Sequence, residues 1–272
     1  HFYLESHIAL SIPGEDDEVT VWSSTQHPSE IQHMVANILQ IPVHAVTVNT
    51  RRMGGGFGGK ETQGNQFAAL SALAAKRLNR AVKFRPDRDE DMIMTGKRHD
   101  FLAEYEAGFD DDGQILAVKA NFAARCGFSA DLSGPVTDRA LFHADNAYYF
   151  PDVLLTSEPI KTNTVSNTAF RGFGGPQGLL GGERIIEEIA YAVGVDPLEI
   201  RKRNFYAIEG DDRCLTPYHQ KVEDNVIHRI VHELETSSDY QARRNAIIAF
   251  NRTSRVIRKG IALTPVKFGI SF

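Results

Sequence analysis

The sequence Gly54-Gly55-Gly56-Phe57-Gly58-Gly59 places five glycines in six positions. Such a run has almost no side-chain surface to bury and the largest conformational entropy to lose, so it cannot be the interior of a helix or strand. It has to be a loop, and one that lets the backbone come very close to something else. A second run, Arg171-Gly172-Phe173-Gly174-Gly175, repeats the design and adds a fixed positive charge. Any fold for this chain must present both loops.

The flanks of the first loop define its setting. Val46-Thr47-Val48 alternates like a strand, and a helix is expected from Lys60 or Glu61, with Phe67, Leu70, Leu73 and Ala74 as its buried face. Gly54, Gly56 and Gly59 therefore match the dinucleotide fingerprint G-x-G-x-x-G between strand and helix. A block made almost wholly of glycine satisfies many patterns, and the acid expected after the next strand is badly placed, Asp87 being late and preceded by Pro86. An NAD-binding Rossmann enzyme is thus the weaker alternative. The general reading is stronger: bare backbone N–H groups at a helix start favour an anionic ligand. Phe57 and Phe173 would pack on a planar ligand or a neighbouring domain.

The rest of the chain alternates strands and helices without a regular βαβ rhythm. Val19-Thr20-Val21-Trp22 reads as a strand, followed by a helix from Pro28 with Ile31, Met34, Val35, Ile38 and Leu39 on one face. Val82-Lys83-Phe84 and the stretches 101–109 and 115–122 read as strands, the last two joined by an Asp110-Asp111-Asp112-Gly113 turn. Residues 130–168 look polar and irregular. The second glycine loop leads into a helix carrying Leu179, Leu180, Ile185, Ile186, Ile189 and Val193. Another helix opens at Asp196, with Glu199 at the capping-box position, and residues 224–250 form one or two more. The fold class expected is α+β, mixed sheets with packed helices.

Composition excludes several functions. The 272 residues carry 30 basic and 35 acidic side chains, a net charge of −5, which argues against nucleic acid as partner. No apolar run is long enough to span a bilayer, so no membrane partner is expected. Two cysteines, Cys126 and Cys214, cannot supply the four thiolates of an iron–sulfur cluster, and they fit a reducing, cytoplasmic location. The chain starts at His1 and stops at Phe272 inside an apolar stretch, so both ends read as cuts in a longer polypeptide.

Longer motifs narrow the reading. Arg52-Met53-Gly54-Gly55-Gly56-Phe57-Gly58-Gly59-Lys60-Glu61 and Thr168-Ala169-Phe170-Arg171-Gly172-Phe173-Gly174-Gly175-Pro176-Gln177-Gly178 closely resemble the molybdenum hydroxylase family, in its purine-oxidising branch. So do His1-Phe2-Tyr3-Leu4-Glu5, Ser24-Thr25-Gln26, Asp138-Arg139-Ala140-Leu141-Phe142-His143 and Lys267-Phe268-Gly269-Ile270-Ser271-Phe272. Ser29-Glu30-Ile31-Gln32-His33 looks closer to the bacterial large-subunit form. The resemblance implies a molybdopterin-binding fold of the aldehyde oxidase/xanthine dehydrogenase type. Residues 1–240 would be its first molybdopterin-binding domain and 241–272 the truncated start of a second.

The resemblance also implies chemistry and site residues. A molybdopterin-held molybdenum with oxo, hydroxo and sulfido ligands would hydroxylate hypoxanthine or xanthine, with hydride passing to the sulfido group. Gln26 resembles the glutamine bonded to a molybdenum oxygen; Gly56, Phe57 and Gly58 resemble the segment beside the metal, and Arg171 the arginine of the second cofactor loop. Gln26, Phe57 and Arg171 are the residues nearest the metal by this reading. Glu61 and Arg139 resemble the catalytic pair that holds and polarises a purine, by proton sharing and by a guanidinium facing developing charge. Phe173 and Phe272 resemble two phenyl rings that sandwich it. The family's general base, a glutamate in a Gly-Glu motif, has no match; Glu209-Gly210 has the reverse order. Electrons would leave through [2Fe-2S] clusters and FAD to NAD, all bound outside this chain. The expected partners are the remainder of the molybdenum region and those modules, in a dimeric assembly. This piece alone would be inactive.

Other charged groups read as structural. His27 with His33, and His228 with His232, could pair on helix faces but lack a metal-site pattern. Asp87-Arg88-Asp89-Glu90-Asp91 reads as a solvated turn, Arg201-Lys202-Arg203 as surface, and His143 as a neighbour supporting Arg139.

Overall fold

The computed structural model describes residues 1–208 and 212–269. The chain forms two compact units. The first comprises His1–Phe101, Ala123–Thr137 and Pro159–Gly174; the second comprises Leu102–Phe122, Asp138–Glu158 and Gly175–Phe272.

The first unit is built on a four-stranded sheet. Its strands are β1 (Ala9–Pro13), β2 (Val19–Ser23), β3 (Val46–Asn49) and β4 (Val82–Phe84), in the order β3-β2-β1-β4. β1 runs antiparallel to β2 and β4, while β2 and β3 are parallel. A parallel pair needs a crossover, and α1 (Pro28–Leu39) supplies it. Alternation in the strands buries Ala9, Val19, Val21 and Val46 against Ile31 and Val35 of α1 and Ala68 and Ala72 of α2 (Asn65–Leu78). Burying Ile31 or Val35 is worth roughly 1.5–3 kcal/mol each. The sheet is mixed, as an α+β fold requires.

Three sequence expectations fail in this unit. The helix after the first glycine loop starts at Asn65, not at Lys60 or Glu61; Glu61 lies in a turn before it. The glycines close a tight turn, Gly59 N donating to Gly56 O at 2.8 Å, and the chain reaches helical geometry only at Gly64. The buried face of α2 is also different. Phe67, Ala68, Ala69, Ser71, Ala72 and Ala75 face inward, while Leu70 and Leu73 are exposed. Small residues win because α2 lies close over β1, where Ser71 Oγ meets Ser11 Oγ at 2.8 Å. The acidic run at residues 87–91 is not a solvated turn. Asp87 caps a short helix, α3 (Arg88–Met94), through a reciprocal box with Glu90, and Asp91 is buried.

The second unit holds most of a three-stranded sheet in the order β5-β6-β7, formed by β5 (Phe101–Phe109), β6 (Ile115–Gly127) and β7 (Asp152–Lys161). The expected turn between β5 and β6 is present, with Gly113 N donating to Asp110 O at 2.9 Å. Residues 130–168 are more regular than their composition suggests. They contain α4 (Ser133–Phe142) and all of β7. α4 is too weakly amphipathic to read from periodicity, because small residues bury it: a side chain at Gly178 or Gly182 of α5 (Gly175–Val193) would collide with the carbonyl oxygens of Ala140 and Ala144.

α6 (Pro197–Asn204) starts at Asp196, whose carboxylate accepts from Leu198 N at 2.9 Å; Glu199 instead pairs with Lys202. α7 (Ile227–Ser237) and α8 (Tyr240–Thr253) complete the unit as two helices. Arg201 is not at the surface. It is 1% exposed, bonded to Glu183 at 2.7 and 2.9 Å and to Glu187 at 2.7 Å. Glu183 also accepts from Tyr148 and Asn146. An arginine fork can bridge two helical carboxylates in this way, and nothing in local sequence distinguishes it from a surface charge.

Candidate functional site

Both glycine loops meet in the first unit. Arg171 N donates to Phe57 O at 2.9 Å, so the second loop is bonded to the first. Phe57 and Phe173, each in the middle of its loop, adopt left-handed backbone conformations with φ of 55° and 50°. Residues with a side chain rarely hold that geometry unless the surroundings impose it. Gly58, at φ +93°, admits no substitute: an added Cβ would lie 2.7 Å from Ala169 O, at the base of the second loop.

Gln26 is built into the first loop. Its carboxamide Oε1 accepts from Gly58 N at 2.8 Å and from Lys60 N at 3.3 Å, and its own N–H donates to Lys60 O at 2.8 Å. A Cβ on Gly56 would stand 2.5 Å from that oxygen. With Oε1 committed to the loop, the exposed NH₂ is the end of Gln26 left to donate. Arg171 is exposed, and its guanidinium has no counter-ion among the described residues. Its backbone is held by Arg98, which donates to Arg171 O at 2.9 Å and covers the Phe170 ring. Phe57 is 48% exposed, an uncovered ring in a rigid loop.

Glu61 follows in the turn and is half-buried, with no hydrogen bond to its carboxylate among the described residues. Burial pushes its pKa above the ordinary value; His27 lowers it, and Asp131 and Glu30 raise it further. Its neighbours are tethered, Thr62 Oγ1 and Gln63 Nε2 each donating to Asp131 at 2.7 Å. Beside them runs a groove of about 660 Å³, lined by Met34, Ile38, Thr62, Phe128, Asp131 and Leu132 among others. It accounts for the exposure of Met34 and Ile38, which the sequence pattern assigned to the core.

In the second unit, Arg139 projects from α4. Its guanidinium donates to Gly269 O at 2.5 Å and lies over the Phe268 ring at 4.8 Å. His143, one turn on, lies 4.7 Å from the same ring and accepts from Gly269 N at 3.3 Å on Nε2, so its Nδ1 donates to Arg139 O at 2.9 Å. Burial holds His143 below its usual pKa, in keeping with a neutral ring. Phe272, expected as the second stacking ring, lies outside the described residues, as does Glu209-Gly210. Sequence reasoning missed Phe268, and also Lys60, Glu5, Tyr3, His7 and Asp91, which hold the first loop from behind. No cluster of metal-ligating side chains occurs among the described residues. The NAD alternative loses its main support, because the first loop does not open directly into a helix.

Two backbone-bonded glycine loops, with an amide donor and a free guanidinium at their surface, define a cofactor-binding domain. Residues 1–205 match the model of the molybdopterin cofactor-binding domain, and the chain belongs to that family. More particularly, it is 46% identical over 272 residues to xanthine dehydrogenase from Drosophila subobscura, covering all of this chain and 20% of that protein. It is 42% identical over 274 aligned residues to nicotinate hydroxylase hnxS from Emericella nidulans, again covering all of the chain and 20% of the relative. Its fold resembles that of the aldehyde oxidoreductase from Desulfovibrio gigas, with a TM-score of 0.81 and 26% identity over 94% of this chain and 27% of that one. The chain thus spans about a fifth of the length of the curated relatives it matches.

The residues present fit such a cofactor on their own chemistry. Metal oxygens are acceptors, and the outward NH₂ of Gln26 is a donor. A large flat group needs backbone approach, which the bare Cα atoms of Gly56 and Gly58 permit. An anionic tail needs a cation, and Arg171 is one.

Proposed function

We propose that this chain is the first part of the molybdenum region of a hydroxylase that oxidises hypoxanthine and xanthine to urate. The carrying observation is the loop assembly in which Gln26, Phe57 and Arg171 are fixed by backbone bonds. Residues 1–240 form the first molybdopterin-binding domain by this reading, and 241–272 begin the second.

When bound, the molybdenum cofactor supplies oxygen-transfer and two-electron redox chemistry. Gln26 would hold the cofactor through a hydrogen bond donated by its side-chain NH₂. Arg171 would offset cofactor charge, and Phe57 would help to exclude water from the bound cofactor. Glu61 has a raised pKa and no hydrogen bond to its carboxylate among the described residues, so it is suited to share a proton with a purine ring nitrogen. Arg139 offers a guanidinium to the negative charge that builds on the ring oxygen during attack, and Phe173 and Phe272 provide ring faces. The general base comes from outside these 272 residues. Iron–sulfur clusters of the [2Fe-2S] type, FAD and NAD would supply the onward redox chemistry from other parts of a dimeric, cytoplasmic enzyme.

In the full-length protein, Glu61→Ala or Arg139→Ala should depress xanthine turnover roughly 100-fold or more, the cost of removing a preorganised donor, with molybdenum content unchanged. Unaltered turnover would remove the assigned roles. Turnover of nicotinate by the wild type, with xanthine inert, would move the substrate to that of the fungal relative.

A further inference from the structure

The residues behind the first glycine loop have a role that the proposed function does not use. Lys60 is 0% exposed, although it directly follows the loop. Its ammonium donates to Glu5 O at 2.7 Å, Ser24 Oγ at 2.9 Å and Glu5 Oε2 at 3.3 Å, and lies over the Tyr3 ring at 4.6 Å. Glu5 Oε2 in turn accepts from Ser24 Oγ at 2.6 Å and from Gly54 N at 2.8 Å. Both ends of the first loop are therefore tied to one charge pair, a buried Lys60 and a partly exposed Glu5.

Burying an ammonium is costly, and a buried pair is often no more stabilising than apolar packing would be. What this pair holds is specific. The Lys60 backbone both donates to Gln26 Oε1 and accepts from Gln26 N, and it also accepts from Thr25 Oγ1 at 3.2 Å. Moving the Lys60 side chain would move the residue that holds Gln26 at two points.

We propose that Lys60, with Glu5, is a positioning residue that sets the aim of the Gln26 carboxamide toward the cofactor. This rests on the reading of Gln26 given above. Lys60 touches no cofactor atom itself; it acts through its own backbone, as outer groups orient the ligands of metal sites.

The test uses the full-length holoenzyme with Gln26→Ala, Lys60→Met, Lys60→Arg and Glu5→Gln. Losing an orienting partner typically costs ~10–100-fold, so Lys60→Met should lower kcat by roughly that factor, with KM within about twofold. Its metal content should hold, and the molybdenum EPR signal of the partly reduced enzyme should shift in the direction that Gln26→Ala shifts it. Adding Lys60→Met to Gln26→Ala should cause no further loss of kcat. Lys60→Arg should restore part of the rate, and Glu5→Gln, which keeps the volume, should give a smaller change of the same kind. If Lys60→Met does not fold, Glu5→Gln carries the same readouts. A variant with lower stability but unaltered kcat and EPR in its loaded fraction would make Lys60 merely structural. A silent Gln26→Ala, with Lys60→Met still impaired, would instead overturn the role given to Gln26.

Discussion

Both units bury charge, but they use it differently. In the second unit the charges close on one another. Arg201 joins Glu183 and Glu187, and Glu183 also takes Tyr148 and Asn146, so the network braces α5 and α6. In the first unit the charges end on backbone. Lys60 and Glu5 hold Gly54, and Asp91 takes His7 N at 2.6 Å and Tyr3 Oη at 2.7 Å, while His7 Nε2 lies 3.2 Å from Gly59 O. Beyond these anchors, Glu61, Arg171 and the amide end of Gln26 are left without internal partners among the described residues. One network stabilises a frame. The other fixes a loop so that its outer groups stay available, as a preorganised site requires.

The largest test of this contrast is Arg201→Met. It leaves the mostly buried Glu183 without its cation, which should destabilise the second unit by about 3–5 kcal/mol. Hydrogen exchange in the full-length protein should show lost protection across residues 175–204 and none across 54–61. Equal loss in both segments would mean that the two networks are not separate.

Asp91→Asn is the counterpart in the first unit. Burial raises the Asp91 pKa, but the hydrogen bonds from His7 and Tyr3 outweigh it and hold the carboxyl well below the usual carboxylate range. Its folded pKa is depressed, so its stabilisation is present above the unfolded value of 3.8 and is lost as pH falls below it. Removing the charged acceptor should cost about 2–3 kcal/mol near neutral pH. The gap to wild type should narrow below about pH 4. A gap that widens in acid would show that the carboxyl is not ionised in the folded state.

These networks mark the limit of what the sequence could reveal. The glycine loops were legible because a run without side chains permits few conformations, and strands β2 to β4 with α1 followed from alternation and helical period, whereas β1 (Ala9–Pro13) went unread. The loop bond from Arg171 to Phe57 was not legible, since nothing local pairs residues so far apart. Nor was the burial of Lys60, Asp91 and Arg201. A charged residue is ordinarily solvated, and only tertiary partners reverse that expectation. The small-residue face of α2 was missed for a related reason. Close approach selects Ala and Ser, which carry little periodic signal, and leaves Leu70 and Leu73 outside.

A substitution at Gly58 probes the loop without touching either charge network. Gly58→Ala combines a φ of +93° with a Cβ 2.7 Å from Ala169 O. Strain of this kind costs on the order of 1–3 kcal/mol. The loop would yield first, so molybdenum content should fall while hydrogen exchange across residues 175–204 stays as in wild type. Normal metal loading would show that the contact between the loops is dispensable.

The smallest effect is expected at Glu61, where the contrast between the units is sharpest. Arg201 and Glu183 satisfy each other; the Glu61 carboxylate has no hydrogen-bond partner among the described residues. Burial comes first in raising its pKa, with Asp131 and Glu30 adding to it against His27. A raised folded pKa means that the stabilising contribution belongs to the protonated form. It is complete below the unfolded value of 4.5 and is lost as pH rises through the folded value. Glu61→Gln should therefore leave stability unchanged in acid and increase it progressively above pH 4.5. Partial exposure screens the charge, so the gain should stay below about 1 kcal/mol. Chemical denaturation of the full-length protein across that pH range measures it. A loss of stability near neutral pH would mean that an internal partner satisfies Glu61, and the carboxyl would then be part of the frame rather than held open for a ligand.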